Sequence, residues 1–139
     1  MNNIIMLDTH VITWYLESDT ELRPNVYDKI DDALKQGEAM ISSVTLLEIA
    51  ALKVKNRINI FQPTEFFLEN MTNIKGLTVV NIDPKIATLS VSLPNDFHKD
   101  PADRVIVAST ICNNATLITR DSKIINWAKR YGHMKVLEA

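Results

Sequence analysis

The chain has 139 residues, a formal net charge of −2 and a 46% share of apolar side chains, enough for one compact domain over residues 1–139 with a full core and too apolar for a disordered chain. No apolar run approaches the roughly 20 residues a membrane-spanning helix needs. The single cysteine, Cys112, excludes an internal disulfide and a cysteine-based zinc site.

The opening MNNIIMLDTH carries no basic segment ahead of a long apolar region and does not read as a signal peptide, so a cytoplasmic protein is expected. Within it, NIIML (3–7) is a short apolar run ending at Asp8, the pattern of a buried parallel strand. THVITWYLES (9–18) reads as a helix, and RPNVYDKIDDALKQG (23–37) as a second, stopped by Gly37. AMISSV (39–44) is the next strand and runs into TLLEIAALKVKNRI (45–58), whose apolar spacing is helical. PTEFFLENMTNI (63–74) starts a further helix on a proline. GLTVVNID (76–83) is a third strand, PKIATLSVSL (84–93) a helix, DPADRVIVASTICNN (100–114) another, and TLITRD (116–121) a fourth strand. SKIINWAKRYG (122–132) is the last helix, ahead of an edge-strand candidate, MKVLE (134–138). Strands alternating with helices in this way predict an α/β fold with a mostly parallel central sheet of four to five strands, covered on both faces.

Four acids stand out against this frame. Each has an ordinary explanation. Asp100 before Pro101 suits an N-cap with Asp103 on the same first turn, Thr45 and Glu48 match a capping box, and Asp8 and Asp121 lie at helix starts. Their joint placement says more. Asp8 follows the first strand, Glu48 lies beyond the second and Asp121 follows the fourth, so all three converge on the carboxyl edge of a parallel sheet, where ligands bind. Asp103 joins them if its helix begins at that edge. Helix N-termini supply only partial positive charge to offset the repulsion, so a divalent cation completes the set. An oxygen-only donor group favours Mg²⁺, with Mn²⁺ as a substitute, over zinc, and such a site supports phosphodiester hydrolysis.

Three stretches, MLDTHVITWYL, SSVTLLEIAALKVKNRI and HKDPADRVIVAST…TLITRDSKI, resemble the PIN-domain ribonucleases, in particular the VapC-like toxins of bacterial type II toxin–antitoxin pairs. The resemblance spans nearly the whole chain. It rests on the combination of an Asp-Thr-His start followed by Trp14, an Asp-Pro-x-Asp-Arg element and a Thr-Arg-Asp element. It implies a three-layer α/β/α sandwich and a Mg²⁺-dependent endoribonuclease. It also implies a homodimer, restrained by a small cognate antitoxin that blocks the acidic pocket. By motif position Asp8, Glu48, Asp103 and Asp121 match the family's four acids, with Asp100 the additional aspartate of the Asp-Pro-x-Asp-Arg subgroup.

Other residues are weighed around these. Thr9 and Thr119 suit hydrogen bonds to a carboxylate or to a metal-bound water, against the plainer readings of Thr9 as a helix cap and Thr119 as a β-branched strand residue. For His10 and His98, bonding to loop backbone weighs more than a metal or catalytic role, and His133 reads as surface. Arg104 and Arg120 pair with an acid or contact RNA phosphate, two readings that stand level. Lys53, Lys55 and Arg57 form a basic run that suits either an RNA backbone or a solvated helix end, the latter weighing more. Trp14 and Trp127 read as core or dimer-contact residues and Cys112 as packing. Two other classes share an acidic pocket on an α/β fold. An aspartate-nucleophile phosphatase wants a second aspartate where His10 stands. A receiver-like Mg²⁺-binding module needs neither Glu48 on a helix nor the Asp-Pro-x-Asp-Arg element.

Overall fold

The computed structural model describes residues 3–94, 97 and 99–139. Among these, five strands and seven helices alternate: β1 (Ile5–Leu7), α1 (Thr9–Leu16), α2 (Pro24–Gln36), β2 (Ala39–Ser42), α3 (Ser43–Val54), α4 (Thr64–Thr72), β3 (Leu77–Val80), α5 (Pro84–Ser92), α6 (Pro101–Cys112), β4 (Thr116–Thr119), α7 (Ser122–Tyr131) and β5 (Lys135–Glu138). The strands form one sheet in the order β3-β2-β1-β4-β5, and every neighbouring pair is parallel.

Side chains alternate across a strand, so each strand feeds two cores. Ile5 and Leu7 of β1, Ile41 of β2 and Ile118 of β4 pack with Val11, Ile30 and Ile49, which come from α1, α2 and α3. Met6 and Leu117 point the other way and meet Ile106 of α6 and Ile124 and Trp127 of α7. Runs without polar interruption, such as Ile5–Leu7, are thus buried on both faces; the result is the covered parallel sheet expected from the alternation and the three-layer α/β/α sandwich implied by the resemblance.

The sheet order fixes where loops part. From β1 the chain moves outward to β2 and β3, then crosses back to β4 and β5. The helix that follows β1 covers one face and the helix that follows β4 covers the other. A crevice opens between the carboxyl ends of these adjacent strands, the position at which open α/β sheets bind ligands.

Most elements are shorter than their sequence patterns. The strand expected over 39–44 ends at Ser42, whose hydroxyl accepts from Val44 N at 3.2 Å and caps α3. The capping box expected from Thr45 and Glu48 is therefore not the helix start: both residues lie inside α3. Gly37 does end α2, at φ +70°, a left-handed conformation that favours glycine.

Candidate active site

Asp8, Glu48, Asp100, Asp103 and Asp121 line one cleft of about 450 Å³, together with Thr9, His10, Val11, Trp14 and Arg120. Local chain geometry places each carboxylate. Asp8 is the N-cap of α1, one residue past β1. Asp121 is the N-cap of α7 and accepts from Lys123 N at 2.8 Å. Asp100 caps α6 through Ala102 N at 3.0 Å and Asp103 N at 3.2 Å, which leaves Asp103 on the first turn of that helix. Capping and cleft placement coincide for these acids, because a helix that starts at the sheet edge presents its cap there. Glu48 comes instead from the body of α3.

Two threonines hold the carboxylates. Thr119, fully buried, donates its hydroxyl to Asp8 Oδ2 at 2.6 Å and accepts from Asp121 N at 3.1 Å. Thr9 donates its backbone N–H to Asp8 Oδ1 at 2.8 Å and its hydroxyl to Glu48 Oε1 at 2.5 Å. The register puts these groups in reach: Leu7 pairs with Ile118, and Asp8 N donates to Ile118 O at 3.1 Å, so Thr119 stands beside Asp8.

Burial raises the Asp8 carboxyl above its usual range, against the bonds from Thr119 and Thr9, which act to lower it. Glu48 is raised as well, chiefly by burial and then by the negative charge of Asp8 and Asp100, with Thr9 opposing. Asp103 is pushed up to about 8, first by burial and then by Asp8, Asp100, Glu48 and Asp121. Among the described residues no three His, Cys, Asp or Glu side chains are already drawn into a metal cage; the acids line the cleft without closing around a point. The donor set nonetheless fits a hard divalent cation. It is all oxygen, it is held by neutral hydroxyls, and its mutual repulsion is what such an ion relieves.

Both arginines beside the acids also bond to groups outside the four. Arg104 donates to the carbonyls of Ser90 and Phe97, both at 3.1 Å, and so ties the segment before α6 to the helix that carries Asp103. Arg120 donates to Ala139 O at 3.1 Å and to Glu21, both at its carboxylate (2.7 Å) and at its backbone carbonyl. Its guanidinium lies 4.6 Å from the centre of the Trp14 ring. Arg120 thus pairs with an acid, but one outside the predicted four. Trp14 stands in the cleft wall, whereas Trp127 is core, 4.8 Å from Phe97 and 4.5 Å from Tyr131 between ring centres. His10 is exposed at the cleft, 5.9 Å from Trp14; His98 lies outside the described residues. Lys53 donates to Gln62 O at 2.5 Å and Lys55 caps the end of α3. Among the described residues no helix is long and apolar enough to cross a membrane.

Thr45 went unnoticed in the sequence except as a cap. It is fully buried, and its hydroxyl lies 3.2 Å from that of Thr9. Its three-residue spacing from Glu48 on one helix face was the available signal.

A parallel five-stranded sheet between helices, with carboxylates gathered at the divergence of β1 and β4, defines a class of acidic-site α/β proteins. Within that class the chain belongs to the PIN domain family, whose model matches residues 5–130. It is 29% identical over 120 residues to Ribonuclease VapC22 of Mycobacterium tuberculosis, a match spanning 86% of this chain and 88% of that protein. Among solved structures, its fold is similar to VapBC2 from Rickettsia felis bound to a promoter DNA fragment, with a TM-score of 0.68 and 20% identity over 97% of this chain and 98% of the other. It is also similar to DNA-bound VapBC from Salmonella typhimurium, with a TM-score of 0.69 and 16% identity over 98% of each chain. At these identities the solved structures show a shared fold.

Proposed function

We propose that this protein is a Mg²⁺-dependent endoribonuclease acting as the toxin of a type II toxin–antitoxin pair. The observation that carries the reading is the gathering of Asp8, Glu48, Asp103 and Asp121 in one cleft of a PIN-family chain. The likeness to a ribonuclease, and to chains solved as VapBC complexes, supports the substrate class and a small cognate antitoxin as partner. A homodimer in the cytoplasm belongs to the same reading.

In this account Asp8, Glu48, Asp103 and Asp121 hold the cation, for which Mn²⁺ can substitute. When bound, a divalent ion supplies electrophilic stabilisation of the phosphodiester and eases deprotonation of the attacking water. The chain's own residues set the stage. Thr119 fixes Asp8 through Oδ2, and Thr9 fixes Asp8 and Glu48 together. Asp100 holds the first turn of α6 so that Asp103 stays at the cleft. Arg120, restrained by Glu21 and Trp14, places positive charge in the cleft wall, where an RNA phosphate approaches.

Expression of the wild-type chain in bacteria should arrest growth, and Asp8→Asn should relieve the arrest at equal protein level. Equal toxicity of the two, or none from folded wild type, counts against a nuclease toxin.

A further inference from the structure

Hydroxyls on helices have an easy default partner, the carbonyl three or four residues back. In this fold Thr13, Thr88, Ser90, Ser109 and Thr110 take it, donating to His10, Pro84, Ala87, Val105 and Ile106 at 2.7–2.8 Å. Thr45 does not, and Thr9, the first residue of α1, has no helical carbonyl behind it. Both are nearly or fully buried, and their hydroxyls meet across α3 and α1 at 3.2 Å. The single hydroxyl proton of Thr9 is committed to Glu48 Oε1 at 2.5 Å, so Thr45 is the donor of the pair. The chain of donation runs from Thr45 to Thr9 to Glu48, and Glu48 lies one turn beyond Thr45 on the same helix face.

We propose that Thr45 is a positioning residue that aims Glu48 into the cleft through Thr9. By filling an acceptor site on the Thr9 oxygen, Thr45 holds that hydroxyl with its proton toward Glu48. One glutamate oxygen is thereby committed to the protein and the other is left for a ligand. The same Thr9 gives its backbone N–H to Asp8, so Thr45 sets the spacing of two acids from one buried point. The proposal rests on the reading of Glu48 as a cation-holding group, and it adds a residue that does not itself touch substrate or ion.

The test compares Thr45→Val, which keeps the shape and removes the hydroxyl, with Thr45→Ser, which keeps the hydroxyl. Two readouts are taken on the full chain: Mn²⁺ affinity by titration calorimetry, and the Thr9 hydroxyl proton, which should be visible by NMR because it is buried and tightly bonded. Thr45→Val should bind Mn²⁺ about tenfold more weakly and lose the hydroxyl resonance to exchange, while Thr45→Ser keeps both. Unchanged affinity and an unchanged resonance in Thr45→Val overturn the proposal. A Thr45→Ser variant as weak as Thr45→Val overturns it too, since the lost methyl would then be what matters. If wild type takes up no Mn²⁺, the cation reading of the four acids fails, and the resonance alone decides on Thr45: loss in the valine variant with retention in the serine variant supports it, and any other pattern overturns it.

Discussion

Thr119 donates its hydroxyl to Asp8 Oδ2 at 2.6 Å, joining residues 111 apart in the chain. The bond closes the crevice between β1 and β4 at its base and links the caps of α1 and α7, because the same hydroxyl oxygen accepts from Asp121 N. Two of the four acids thus depend on one buried neutral side chain.

Removing that hydroxyl in Thr119→Val should cost about 1–3 kcal/mol of stability, since a buried carboxylate oxygen and an N–H lose their partner. RNA cleavage should fall about ten- to a hundredfold. Thr119→Ser should recover most of both. Urea unfolding and cleavage rates of the two variants check this, and a valine variant equal to wild type in both would show that Asp8 needs no support from β4.

The acid cluster should make the cation-free chain sensitive to alkali. Asp103 titrates at about 8 in the fold against about 3.9 in an unfolded chain, so the folded state holds its proton more tightly between those values. That contribution to stability is full below about pH 4 and is lost as pH rises through about 8. Asp8 and Glu48 are shifted in the same direction. In EDTA the Tm should therefore fall from about pH 5 to about pH 8. Asp103→Asn should flatten the fall, and millimolar Mg²⁺ should offset it by binding the folded state alone. A wild-type Tm that rises across this range, with Asp103→Asn parallel to it, contradicts the electrostatics of the cleft.

Gly76 leads into β3 at φ +90°, and a Cβ there would lie 1.8 Å from Leu34 O of α2. Gly37 has a similar φ of +70° but nothing within 4 Å of its Cβ position. Gly76→Ala should lose about 3 kcal/mol through backbone strain and clash, and Gly37→Ala about 1 kcal/mol through strain alone. Urea midpoints of the two variants measure the difference; equal losses would mean that α2 yields to the added methyl.

The strand–helix alternation was legible because the strands are short, the central one being apolar on both faces at Ile5–Leu7, and because Gly37 and Pro101 mark helix ends. The acids were legible because Asp8, Asp100 and Asp121 serve as helix caps at the sheet edge, so local capping chemistry and the cleft use the same residues. Long-range partners were not. Nothing near Arg120 in sequence indicates Glu21 or the Ala139 carbonyl, and nothing near Arg104 indicates the Ser90 carbonyl, 14 residues back. Thr45 was misplaced for a related reason. Its spacing from Glu48 matches a capping box, but Ser42 caps α3 and Thr45 lies within that helix against Thr9.

The central claim, that the four acids form a cation-dependent centre for RNA cleavage, is tested most directly with purified, antitoxin-free chain and total cellular RNA. Wild type in Mg²⁺ should give discrete products. EDTA should abolish them, and so should Asp8→Asn or Asp103→Asn in variants that melt as folded protein. Full cleavage by either variant, or cleavage that survives EDTA, would contradict the assignment.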